Sequence, residues 1–181
     1  MEGYIFYFFF ILMGIVIIEM ILSATWNHFY FSKGLTIFEI GFTKMESNFS
    51  QQYIYNLKTN AEHYHGLDDF NFQLINDTLI GFREKMFDFS FFKLRYSPIM
   101  HGSIVFDRNK NLIIVKGTLN CFFSAFIIYW YVFIISINLI NTSSQKIEMI
   151  PFLVFPLILT VVILFIQIRR FKKIAEIVKV F

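Results

Sequence analysis

The chain has 181 residues, of which 56% are hydrophobic and only 16% charged, and its formal charge is +3. Water-soluble domains run at about 45–50% apolar and 25% charged, so composition excludes an ordinary water-soluble globule. A single cysteine excludes a disulfide framework and every cysteine-based zinc or iron–sulfur site, and the small net charge gives no case for nucleic acid as a partner.

Three stretches are almost free of charge. Gly3 to Leu22 holds Glu19 alone, while Gly117 to Gln145 and Met149 to Ile168 hold none. With a helical rise of about 1.5 Å, roughly 20 apolar residues cross about 30 Å of hydrocarbon, so each stretch is long enough to span. Three transmembrane helices are expected, at about 4–22, 119–140 and 150–168. The first is expected to be retained, because Ser23-Ala24-Thr25-Trp26 makes a poor cleavage site. Arg169, Arg170, Lys172, Lys173 and Lys179 follow the third stretch, against Lys146 alone in the loop before it. The excess of basic residues puts the C-terminus in the cytoplasm and the N-terminus outside, in the inner (plasma) membrane of a bacterium.

Residues 23–117 are then a cytoplasmic domain between a first helix (1–22) and a helix pair with a short outer loop (118–168). Thr36, Phe38, Ile40 and Phe42 alternate with their neighbours at the period of a half-buried strand. Thr43-Lys44-Met45-Glu46 fits a capping box, and Met45, Phe49, Tyr53, Leu57 and Ala61 follow at spacings of four, which predicts a helix over 44–61. Strands are expected at Phe70 to Leu74, Leu79 to Phe82 and Met86 to Tyr96, the last bulged near Phe91. Gly102 to Asp107 and Leu112 to Lys116 flank a four-residue hairpin loop, Arg108 to Asn111. The fold class expected is a membrane α+β protein with a small antiparallel sheet and one helix inserted between the first and second spans.

Ile80-Gly81-Phe82-Arg83, then Arg95-Tyr96-Ser97-Pro98-Ile99-Met100-His101-Gly102-Ser103-Ile104 and the hairpin to Lys116, resembles a group of uncharacterised bacterial membrane proteins. In that group a strand, a Tyr-rich stretch, Pro and a β-hairpin lead into a pair of transmembrane helices. The likeness covers about residues 78–168; this chain shortens the stretch before Pro98 and adds a first helix. The resemblance implies a cytoplasmic sheet with a membrane hairpin and no particular chemistry.

His63, His65, Asp68 and Asp69 fall within seven residues and are the candidate metal ligands; a polar loop between helix and strand is the plainer account. Glu19 and Gln167 are polar residues inside otherwise apolar stretches, where a carboxylate is a functional candidate and Gln167 its possible neighbour. His28 and His101 stand alone in the sequence and read as interfacial or turn residues. Phe171, Ile174, Ile177, Val178 and Phe181 repeat at helical spacing, with Arg169, Arg170, Lys172, Lys173 and Lys179 opposite. That pattern predicts a basic amphipathic helix over 169–181 lying in a membrane interface. No phosphate loop, nucleophile elbow or catalytic constellation is present, and no cofactor is called for. The first functional expectation is a non-catalytic integral membrane protein whose sheet domain binds a protein partner or lipid headgroup. The alternatives are a subunit of a homo-oligomeric pore or transporter, and a lipid-modifying metalloenzyme. The partners expected are membrane lipid and either another protein or further copies of the chain.

Overall fold

Alternating apolar side chains predict strands near 36–43, 70–74, 79–82, 102–107 and 112–116, and each of them forms. The computed structural model describes residues 2–43, 49–64, 67–84, 99–140 and 150–180. In chain order these are α1 (Glu2–Ala24), α2 (His28–Ser32), β1 (Leu35–Thr43), α3 (Gln51–His63), β2 (Phe70–Asn76) and β3 (Leu79–Glu84). They continue as β4 (Met100–Asp107), β5 (Leu112–Leu119), α4 (Cys121–Ile140) and α5 (Ile150–Val180). The strands make one antiparallel sheet in the order β1-β5-β4-β3-β2.

Local chemistry explains the connections. The Asp107 carboxylate accepts from the backbone N–H of Asn109 (3.0 Å) and Lys110 (3.3 Å), and Asn111 takes a positive φ of 50° to close the β4–β5 hairpin. Asn76 turns the β2–β3 hairpin by accepting from the Thr78 N–H at 2.9 Å. Helix α3 starts later than the capping-box pattern predicts. Ser50, not Thr43, is its N-cap, accepting from Tyr53 N at 3.2 Å, because Thr43 is already committed to the ladder opposite Leu112. Residues 44–48, and the strand expected at Met86 to Tyr96, lie outside the described residues.

One face of the sheet carries the core. Phe38, Gly117, Gly102, Phe82 and Phe72 stand in register across all five strands, a row of large side chains with two glycines in the middle. Into that gap drops Phe171 of α5, edge-to-face against Phe82 (5.1 Å), Phe70 (5.9 Å) and Phe38 (6.3 Å). Tyr53, Leu57 and Ala61 of α3 and Ile174, Ala175, Ile177 and Val178 of α5 complete the core at helical spacing. The opposite face is covered by α2, whose Phe31 lies over Gly81 and beside His101.

Two expectations are corrected here. Among the described residues no helix is long and apolar enough to cross a membrane. The three-span fold class, the integral membrane protein with its pore alternative, and the inner-membrane location with its inside–outside orientation are overturned. The tail is not a separate interfacial helix either. It is the last part of α5, which runs unbroken through Pro156 to Val180, and Phe171, Ile174, Ile177 and Val178 are buried on the sheet instead of facing lipid.

The glycine gap gives a test of this packing. A Cβ on Gly117 would stand 2.5 Å from Phe171 Cδ2, and one on Gly102 would overlap the Phe82 ring. Gly117→Ala and Gly102→Ala should each lower stability by about 1–3 kcal/mol in chemical unfolding, the usual overpacking cost. Gly41→Ala, whose Cβ meets nothing closer than 4.0 Å, should stay within about 0.5 kcal/mol of the parent.

Candidate functional site

Where α1 ends, α2 turns back and α4 begins, four polar side chains far apart in sequence meet in an apolar setting. Glu19, Tyr30, His101 and Asn120 are all buried. A carboxylate on an apolar helix needs donors, and Glu19 finds three: the Tyr30 hydroxyl (3.0 Å), Cys121 N (3.0 Å) and Phe122 N (2.7 Å). The last two are among the orphan N–H groups of the first turn of α4, so Glu19 caps that helix from another element and meets its positive end. Asn120 anchors the same turn, donating its N–H to the Ile99 carbonyl at 2.9 Å.

His101 sits at the base of the cluster, stacked on Tyr30 with centroids 4.0 Å apart. Its Nε2 lies 3.0 Å from the Tyr30 carbonyl and its Nδ1 lies 2.7 Å from the Asn120 side-chain amide. The carbonyl requires Nε2 to donate, which leaves Nδ1 an acceptor in a neutral ring. Burial pushes the His101 pKa below its ordinary value despite these two contacts, which favours the neutral ring. Asn120 Oδ1 lies against Nδ1 and accepts from the Tyr30 hydroxyl at 3.3 Å; exchanging the oxygen and nitrogen of that amide gives the neutral ring a donor at Nδ1.

Nothing in the cluster is primed as a nucleophile. Burial first, and Glu19 second, push the Tyr30 phenol far above its ordinary pKa; burial and then Glu19 also raise the Cys121 thiol. Both therefore stay protonated near neutral pH. The arrangement fastens α1, α2 and α4 to the sheet.

A second polar cluster ties α5 down. Gln167 does not neighbour Glu19; its Nε2 donates to Glu84 Oε1 at 3.1 Å. Arg170 pairs with the same oxygen of Glu84, reaches Asp69 Oδ2 at 3.6 Å, and lies 4.8 Å over the Phe70 ring. Burial raises the Glu84 pKa, opposed by Arg170 and by the hydrogen bond from Gln167. Arg83 beside it lies 4.8 Å over Trp26, and burial lowers its pKa.

Three of the four candidate metal ligands, His63, Asp68 and Asp69, are described, and they form no metal-binding group. His63 ends α3 on the surface, Asp69 faces Arg170, and His65 lies outside the described residues. Among the described residues no group of three or more His, Cys, Asp or Glu side chains could hold a metal. Of the tail cations, Arg169, Lys172, Lys173 and Lys179 are exposed, whereas Arg170 points into the fold. Sequence reasoning missed Tyr30, His101 and Asn120. Only Asn120 carried a local signal, being an N-cap residue type placed directly before an apolar helix.

Outside these clusters the helices present apolar side chains outward. Phe10, Ile11, Met13, Ile17, Ile18 and Ile21 of α1 are exposed, as are Leu157, Ile158, Leu159, Val162, Phe165 and Ile166 of α5. At 100° per residue these occupy arcs of about 160° on α1 and about 200° on α5. No protein-family model, curated protein or solved structure matches the chain, so the resemblance to uncharacterised bacterial membrane proteins is neither upheld nor refuted.

Two measurements address the buried cluster. His101 is held neutral in the fold, so below its unfolded pKa of about 6.5 the unfolded chain takes up a proton that the folded chain refuses, and stability falls as pH falls. Glu84, whose folded pKa is raised, acts in the opposite sense. The difference in unfolding free energy between the parent and His101→Gln should therefore shrink from pH 7 toward pH 5, by at most about 1.4 kcal/mol per unit. Separately, Glu19→Ala strands two backbone N–H groups and the Tyr30 hydroxyl, and should cost about 1–3 kcal/mol, with Glu19→Gln recovering part of it.

Proposed function

We propose that the chain is a non-catalytic binding module that associates with lipid through the outer faces of α1 and α5, the sheet serving to hold those helices in place. The width of the exposed apolar arcs carries this reading. A helix that packs on a protein core shows an apolar stripe of about 100° or somewhat more, with polar residues on its other face. Arcs of about 160° and 200° are better matched by acyl chains, which close around a surface from all sides. The largest apolar patch on a typical monomer is about 300–600 Å², so two such helices need a cover. Cys121 and Tyr30, both held protonated, and a buried His101 favour binding over catalysis.

The test is flotation of the purified full-length chain with phosphatidylcholine vesicles. The chain should float with them, and Ile17→Gln combined with Ile158→Gln and Val162→Gln should weaken that association at least tenfold while leaving the unfolding transition in place. A chain that stays unbound, or that forms a discrete oligomer without lipid which the same substitutions dissolve, contradicts lipid as the cover and favours further copies of the chain.

A further inference from the structure

The outer face of α5 changes character within one turn. From Leu157 to Ile166 it is apolar and exposed; from Arg169 it is basic, with Arg169, Lys172 and Lys173 at i, i+3 and i+4, one contiguous exposed patch. The boundary falls at Gln167, the position at which the inner face turns to Glu84 and the helix becomes seated on the sheet. Arg169 is positioned at that boundary by its neighbour one turn back, its guanidinium carbon lying 4.4 Å over the exposed Phe165 ring. Arg170, one residue on, is turned inward to Glu84 and Asp69, so the helix divides its basic residues between two tasks.

We infer that the lipid is anionic, its phosphate held at the head of the apolar face of α5 by Arg169 and Lys172. This rests on the lipid-binding reading above and names the headgroup it selects. A planar guanidinium presents a fork of donors matched to phosphate oxygens, and a lysine one turn away adds a mobile point charge. Phe165 beneath the guanidinium is itself apolar and exposed, so an acyl chain along Val162 and Phe165 leads its phosphate to Arg169. Lys173 adds positive potential to the same patch. Glu176, exposed one turn beyond Lys172, ends it with the opposite charge. A free phosphate would meet the same donors without an apolar lead, which favours the lipid as the source.

The experiment compares the full-length chain on phosphatidylcholine vesicles with its behaviour on an equal mixture of phosphatidylcholine and phosphatidylglycerol. Two exposed cations near an anionic surface should tighten binding about 10- to 30-fold on the mixed vesicles at low salt, and raised salt should erase the gain. Arg169→Gln with Lys172→Gln should bring the mixed vesicles down to the neutral level, Arg169→Lys should keep part of the preference, and Glu176→Lys should increase it. Inorganic phosphate at millimolar concentration should not displace the vesicles. Equal binding to both vesicle types overturns the anionic headgroup while leaving lipid binding intact. Binding to neither overturns both, and displacement by phosphate reassigns the site to a free anion. The substituted side chains are exposed, so an unchanged unfolding transition separates loss of the headgroup contact from loss of fold.

Discussion

Phe171 can reach the sheet only because Gly117 and Gly102 lie side by side beneath it, and that constraint fixes where α5 sits. A residue with a side chain at either glycine would fill the gap, and the aromatic ring would have to ride above the sheet instead of within it. Once Phe171 is seated between Phe82 and Phe38, the helical repeat carries Ile174, Ile177 and Val178 onto the same face without further adjustment. The hydrogen-bond ladder puts the two glycines opposite each other, so register and helix docking are a single decision.

The back of the sheet is organised by polar chemistry. Tyr30 brings a hydroxyl to Glu19, a carbonyl to His101 and a ring to stack on the imidazole, so one residue of a short helix connects α1, β4 and the start of α4. Each member of the group is buried, and each would be costly without the others. That interdependence accounts for a carboxylate on α1 more fully than a proton-carrying or pore-lining role does. It also explains why α1 and α4, which have little to grip each other with beyond apolar contact, hold a defined register: Glu19 is fixed to the first turn of α4 and can neither slide nor rotate away.

Much of the sheet was legible in sequence, because period-two alternation survives wherever one face is buried, and because Asn76 and Asp107 mark their own turns. The start of α3 was misplaced because Thr43 fits both a capping box and the end of a strand, and the ladder opposite Leu112 decided it. The tail shows the deeper difficulty. Apolar residues at helical spacing opposite lysines and arginines describe a helix with one covered face, and the pattern is the same whether a bilayer or a sheet provides the cover. Only the glycine gap distinguishes them, and it lies far upstream, at Gly102 and Gly117. The buried cluster was illegible for the same reason: His101 meets Tyr30 and Asn120 through topology, with no spacing in the sequence to announce it.

The same ambiguity bears on the apolar surplus that composition registers. Part of it lies inside the sheet core, where Phe70, Phe82 and Phe171 pack edge to face, and another part is displayed on the helices, most of it on α1 and α5 among the described residues. Helix α5 contains both uses in one continuous element. From Leu157 to Ile166 it turns a wide apolar arc outward; from Phe171 to Val178 it turns a narrow apolar stripe inward; and Gln167, Arg169 and Arg170 fall where the two exchange. A narrow stripe is what a sheet can cover, because the sheet approaches from one side. A wide arc asks for a cover that approaches from several, and the cations that begin where the arc ends mark where that cover gives way to water. The helix thus joins a surface that folds the chain to a surface that meets something else, and a substitution on one should leave the other intact.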